Sequence, residues 1–393
     1  LSAARPAERE QARSIFERFS DCRPALREEP LADFSTLRAG SAPYCEVAPR
    51  NAEALSQVVR QAHACDVPLR LRAQGHSLNG ASLPRAGELL LSARNLRHLR
   101  FEEPGTVTAG AGVVLWVLQH ILRRHGFDLP VLNDGYPGPS VGGYLAAGGF
   151  GPRSAVHGGF WDNVREARVV DGRGELRRMA ADDPLFPWLF GAMGQLGVLL
   201  DAKLAIVPLG GAEPRAYPAG KRLVAPQLAP PKVPPEFAVE ENESLFWFTL
   251  FAPDEHLEEA HAELSALERR HRGALRFQER YRYPVRHRGR IAPLVYPQAR
   301  PFTATGAWGW LGDRSRAGVD RLLAFDRDFT EVAESRPYYR RYMQSELPAG
   351  PEICERCFGP ETYAGLRQRK SELDPKALFN RGAVFAAGAD AAR

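Results

Sequence analysis

Between residues 44 and 72 the hydrophobic period changes along the chain. Leu55, Val58, Val59 and Ala62 recur at helical spacing behind Asn51, a side chain suited to an N-cap, and Val67-Pro-Leu-Arg-Leu-Arg72 then alternates as a strand does. Strand, helix and strand in that order form the layout of a βαβ unit. Its second strand runs straight into Ala73-Gln-Gly-His-Ser-Leu-Asn-Gly-Ala81, a glycine-bearing loop delivered at a strand end. Glu88–Ser92 and Thr106–Gly112 predict further strands, and Val113–His125 predicts a helix stopped at Gly126. Ala167–Arg177 predicts a hairpin on the Asp171-Gly172 turn, and Leu204–Pro208 a closing strand.

Residues 209–235 change character, with Pro230-Pro231 and Pro234-Pro235 among recurring glycines, which predicts a boundary or a long surface connection. Beyond it, Phe246–Phe251 reads as a strand and Glu255–His271 as a charged amphipathic helix. At roughly 150 residues per domain, 393 residues suit two or three units. The divisions predicted are 1–208, 209–345 and a C-terminal segment 346–393.

An apolar content of 44% with 20 Phe, 11 Tyr and 6 Trp supplies ample core and excludes disorder as the global state. No run approaches the ~20 apolar residues of a membrane span. The cationic excess is +5, from 52 Lys+Arg against 47 Asp+Glu, and nearly all of it is arginine spread along the chain, which argues against a nucleic-acid surface. Cys354-Glu-Arg-Cys357 is a lone CxxC with no further ligands nearby, so no metal site is expected. The first ten residues show no apolar signal region, which favours the cytoplasm, although a chain starting without Met leaves a removed presequence open.

Two loops carry the chemistry. In the first, Gly75 lets the backbone turn tightly so that successive N–H groups converge on an anion, Ser77 and Asn79 add side-chain donors, and His76 sits at the apex as a base or a covalent anchor. The second, Ser140-Val-Gly-Gly-Tyr-Leu-Ala-Ala-Gly-Gly-Phe-Gly151, has paired glycines that suit backbone packed against a flat ligand or its diphosphate. It lacks the GxGxxG pattern with a distal acid, which argues against a nicotinamide site.

Together these stretches resemble the vanillyl-alcohol-oxidase/PCMH FAD-linked oxidoreductases, most closely the cytokinin dehydrogenases. Arg72-x-x-Gly-His-Ser-Leu-x-Gly80 is similar to their flavin-attachment loop. The likeness continues through Ser140-Val-Gly-Gly-x-Leu145, Gly149, His157-Gly158, Asn163-Val164, Glu166 and Gly194-Gln-x-Gly-Val198, and ends in Leu373-Asp-Pro-Lys-x-Leu-x-Asn-x-Gly-x-Val-Phe385. The resemblance implies an α+β fold: a two-part PCMH-type FAD-binding domain and a smaller α+β substrate domain, an antiparallel sheet with helices. It implies FAD joined through His76, with the diphosphate held at Ala73, Gln74, Gly75 and Ser77. Ala81 stands where the relatives carry Gln. Ser140, Gly142, Gly143, Ala146, Gly149 and Phe150 match further cofactor positions, Ala146 replacing a Ser; Val198 matches the adenine end and Asn380 the ring end.

For the catalytic base, Asp134 lies eight residues ahead of Gly142, one more than in the cytokinin dehydrogenases, and Tyr136 is the alternative. The implied reaction moves a hydride from a substrate C–H next to nitrogen to flavin, as in oxidation of an amine to an imine. Oxidation of an alcohol, sugar or hydroxy acid, or tailoring of a specialised metabolite, is the second reading. Oxygen or another acceptor would complete the cycle. An inactive flavin-fold scaffold, docking through the basic tract Arg280-Tyr-Arg-Tyr-Pro-Val-Arg-His-Arg-Gly-Arg290, is the reading from another class.

Overall fold

Asn51 caps the first helix as its spacing predicts. The structure, a computed structural model, describes residues 30–386 apart from 36, 42, 44, 136–137, 212–216, 229–238, 241, 287 and 345–349. After β1 (Glu46–Val47), the Asn51 Oδ1 accepts the Ala54 N–H at 2.8 Å to start α1 (Ala52–Cys65), and Leu55, Val58, Val59 and Ala62 are buried on its inner face. β2 (Leu69–Arg72) follows, but it does not pair with β1. β3 (Leu89–Ser92) lies between them, parallel to both. The predicted crossover therefore spans a strand that arrives later in the chain.

β4 (His98–Arg100) and β5 (Thr106–Gly110) open a second, antiparallel sheet. α2 (Leu115–Arg124), β6 (Phe127–Asp128) and the short α3 (Val141–Ala147) precede β7 (Val164–Val170), β8 (Leu176–Ala180) and β9 (Val198–Ala205). β10 (Val207–Pro208) pairs with β6, while β11 (Arg222–Val224) joins the sheet edge in the order β11-β4-β5-β9-β7-β8. The β7–β8 hairpin is wider than an Asp-Gly turn, since Val170 pairs with Leu176. Asp171 organises it by accepting the Arg173 and Glu175 N–H groups at 2.9 and 3.0 Å, and the left-handed residue is Gly174.

β12 (Ser244–Pro253) and β15 (Phe302–Leu311) pair antiparallel along their whole length, with Trp247 opposite Trp308. α4 (Leu257–His271), β13 (Arg276–Phe277), β14 (Tyr281–Val285), α5 (Arg316–Glu334) and β16 (Arg340–Arg341) complete this part. β13 and β14 pair with β15, and β16 with β12. α4 and α5 cover one face of the sheet, where Phe246, Phe248, Phe325 and Phe329 are buried. Each such ring contributes roughly 1.5–3 kcal/mol by leaving water. The other face carries Trp247 and Trp308.

α6 (Pro351–Phe358) and α7 (Pro360–Leu373) lead back to the first sheets. Cys354 and Cys357 are free and buried on α6, and burial pushes their thiols up to about 12 and about 11. Phe379 bridges to Leu69, and the Asn380 N–H donates to Leu69 O at 2.9 Å. Lys370, itself buried, anchors this return by donating to Asp374 at 2.7 Å and to Phe379 O at 2.9 Å.

The basic tract is built into the fold. Arg280 pairs with Glu268 at 2.8 Å and Arg286 with Asp254 at 2.9 Å. Arg290 reaches the carbonyls of Trp161 and Val164 and lies 4.5 Å over the Phe186 ring. No helix among the described residues is long and apolar enough to cross a membrane.

Candidate active site

One cleft collects nearly all the chemistry-bearing residues. Its first wall is the loop after β2, where Ala73, Gln74, Gly75, His76, Ser77 and Ala81 all line it. Gly75 has φ +71°, a left-handed value that a side chain would strain. Among the described residues the backbone N–H groups of Gln74, Gly75 and His76 make no hydrogen bond, so three donors stand along the cleft. Ser77 shares its hydroxyl with Ser82 at 2.7 Å. Asn79 does not supply a free donor: it is buried and gives its amide to Met343 O at 2.8 Å.

The second wall is the tract around α3. Ser140, Gly142, Gly143, Ala146 and Phe150 line the cleft. Ser140 Oγ accepts the Gly143 N–H at 3.1 Å and so caps α3. Gly149 stands behind this wall. A Cβ there would fall 2.2 Å from the Tyr144 ring, so its bare backbone lets Tyr144 pack across and donate to Phe150 O.

Val198 and Leu196, with Leu91, Ala93 and Ala111, form an apolar end. Asn380 forms part of the lining and is fully engaged, accepting the Leu71 N–H at 2.8 Å and donating to Met193 O at 2.7 Å.

The opposite end is aromatic. Trp247 and Trp308 stack at 5.2 Å, and Tyr342 and Phe150 meet edge-on at 5.1 Å. His76 belongs to this end. A Cβ on Gly135 would lie 3.3 Å from His76 Nε2 and 3.6 Å from the Trp308 ring. The surrounding walls desolvate His76 and push its imidazole down to about 4. Asp134, the neighbour of Gly135, lines the same cleft and accepts a hydrogen bond from Tyr283. Burial first, then the Asp134 charge, pushes the Tyr283 hydroxyl above the usual tyrosine range. Tyr136 lies outside the described residues.

These features fit a dinucleotide: an apolar end, a midsection of unpaired backbone donors, and an aromatic end with an uncharged imidazole. No group of three or more His, Cys, Asp or Glu among the described residues is placed to hold a metal ion. Residues 43–180 match the FAD binding domain family. These residues thus carry an FAD binding domain, and the chain is similar over that part to PCMH-type FAD-linked oxidoreductases.

Relatives within the FAD-linked oxidoreductases differ in what they are named for. An uncharacterized oxidoreductase in the fasciation locus of Rhodococcoides fascians is 33% identical over 179 residues, 44% of this chain and 40% of the relative. D-lactate dehydrogenase of Archaeoglobus fulgidus is 29% identical over 173 residues, 42% and 39% of the two chains. Cytokinin dehydrogenase 5 of Arabidopsis thaliana is 29% identical over 187 residues, 45% and 34%. The matches thus span at most about two fifths of these relatives.

Several lining residues of the cleft carry no sequence signal as site residues. Phe34 and Gln344 sit in unremarkable stretches; Tyr283, which reaches the cleft only through its bond to Asp134, is one of several aromatics in the basic tract. Trp308 and Tyr342 have the composition of either core or pocket. The structure puts both in the cleft, while Trp310, Tyr338 and Tyr339 stay outside it.

Proposed function

We propose that this chain is an FAD-dependent oxidoreductase acting on a small molecule that carries hydrogen on a carbon next to nitrogen, and that His76 is the point of covalent attachment. The observation that carries the reading is the placing of a carboxylate, Asp134, in the cleft that also holds His76, one residue from the glycine over the imidazole. Bound FAD would supply the hydride acceptor.

Residues 73–77, Ser140, Gly142, Gly143, Ala146, Phe150, Val198 and Asn380 would hold it. Asp134 takes the proton from the donor nitrogen, within the hydrogen-bond reach that general base catalysis requires. Tyr136 is the alternative acid/base. Trp247, Trp308 and Tyr342 exclude water and orient a flat donor. Oxygen or another acceptor then removes the electrons. In this reading residues 1–208 and 346–393 form the cofactor half and 209–345 the substrate half.

An amine is favoured over a hydroxy acid by charge. Among the described residues Arg72 is the cation lining the cleft, and it donates to Ala32 O at 2.8 Å and Ser82 Oγ at 3.4 Å. A substrate carboxylate would meet Asp134 with little cationic compensation.

The test is anaerobic bleaching of the flavin band by matched panels of amines, alditols and hydroxy acids, with intact mass before and after His76→Ala. Bleaching by amines and loss of the mass adduct in the variant are expected. Bleaching by hydroxy acids alone would overturn the substrate reading, and a parent chain that retains no FAD would overturn the enzyme reading.

A further inference from the structure

We propose that Phe34 is a positioning residue for His76: its ring, carried in on the segment 31–40, covers one side of the imidazole against solvent and holds it at the cleft wall. The use made of that imidazole rests on the reading above; the shielding itself does not.

The segment is fastened to the His76 loop at several points. Phe34 N–H donates to Ser77 O at 2.9 Å, Arg38 to Leu78 O at 2.9 Å, and Arg72 back to Ala32 O at 2.8 Å. The segment closes on itself through the Ala32–Ala39 bridge and the Gly40 N–H to Leu31 O bond at 2.7 Å. Asp33 is buried within it, near Arg38 and Arg72, and accepts from Ser35 at 2.8 Å.

So held, Phe34 has one place to go. Its ring centroid lies 4.3 Å from that of His76, and it also packs on the Trp308 and Trp310 cluster. Leu37, three residues on, packs elsewhere, against the core under α4 and α5. The segment therefore fixes Phe34 between the attachment loop and the β12–β15 sheet. Gly135 stands beside both the imidazole and Trp308, and His76 keeps part of its surface open to the cleft.

The charged groups nearby are Asp134 on that turn, Arg72 at the foot of the loop and Asp33 in the segment. None of them is what depresses the imidazole: desolvation is the cause. Removing the ring that excludes water therefore acts directly on the titration of His76.

The experiment is an NMR titration of the FAD-free full-length protein labelled in its histidine rings, with His76 assigned by its loss in His76→Gln. Phe34→Ala should raise the His76 midpoint by at least one pH unit, towards the ordinary 6.5. Phe34→Trp, which keeps an aromatic cover, should hold it near the parent value. Leu37→Ala, which loosens the same segment without touching the imidazole, should also leave it there. An unchanged midpoint in Phe34→Ala, or an equal rise in Leu37→Ala, would overturn the assignment.

A second arm adds FAD to the apoprotein and follows the covalent mass adduct, which should form at least tenfold more slowly in Phe34→Ala than in the parent. Equal rates would count against the proposal. A parent that takes up no FAD while the titration shifts as stated would remove the enzyme reading and leave the shielding intact.

Discussion

Tyr283 donates its hydroxyl hydrogen to Asp134 Oδ2. The bond joins β14 to the turn that faces His76, between residues 149 positions apart. Tyr283 stacks on Tyr281 at 4.8 Å, and Tyr281 accepts the Trp247 indole N–H at 2.7 Å. Because burial and the Asp134 charge keep the Tyr283 hydroxyl protonated, it remains a donor throughout the physiological range. The aromatic sheet thus holds the carboxylate that the proposed reaction needs.

Replacing Asp134 with Asn should lower the rate of flavin reduction at saturating donor about 10²–10⁴-fold in anaerobic stopped-flow. Tyr283→Phe, which removes one hydrogen bond to a charged group, should lower it about 10–100-fold. Because the two groups act together, the double variant should fall short of the product of the single effects. A parental rate in Asp134→Asn would make the carboxylate architectural.

His76 links stability to pH. Its folded-state value is near 4 against an ordinary 6.5, so the unfolded chain binds its proton first as pH falls. The sign follows: no penalty above about 6.5, a progressive loss of stability between the two values at up to ~1.4 kcal/mol per pH unit, and no further loss below about 4. Subtracting the urea-derived stability curve of FAD-free His76→Gln from that of the FAD-free parent should isolate this window. Parallel curves would contradict it.

Asn380 holds a left-handed φ of +48° and bonds through both ends of its amide. Asn380→Ala should cost about 2–4 kcal/mol in chemical denaturation, since it leaves Leu71 N–H and Met193 O unpaired in buried surroundings. Asn380→Gly relieves only the backbone, so it should recover less than half of that loss.

Lys370 and Asp374 are both almost fully buried, and Asp374 also accepts the N–H groups of Leu378 and Phe379 at 2.9 Å each. Lys370→Met should therefore destabilise the fold by about 3–5 kcal/mol, because it leaves a buried carboxylate without its cation. Exposed pairs such as Arg321–Asp313 should change stability by less than about 1 kcal/mol when broken.

The glycine-bearing walls of the cleft are legible in the sequence because their requirements are local. A tight turn at Gly75, a cap at Ser140 and a bare backbone at Gly149 leave their mark in consecutive residues. The aromatic end was not readable in the same way. Trp308 faces the cleft only because β15 pairs with β12 in one register, and a shift of one residue would bury it against α5. Phe34 is placed by its own hydrogen bond to Ser77 O and by that of Arg38 to Leu78 O, pairings between distant positions that no periodicity records. The basic tract divides: Arg282 and Arg288 stay exposed as its composition suggests, while Arg280, Arg286 and Arg290 are engaged with carboxylates, carbonyls and one ring.

The bond between Asn380 and Leu71 spans 309 positions. During synthesis the loop after β2 leaves the ribosome long before the segment that fastens it. If the dinucleotide binds there as proposed, a nascent chain stalled ahead of residue 380 should emerge colourless.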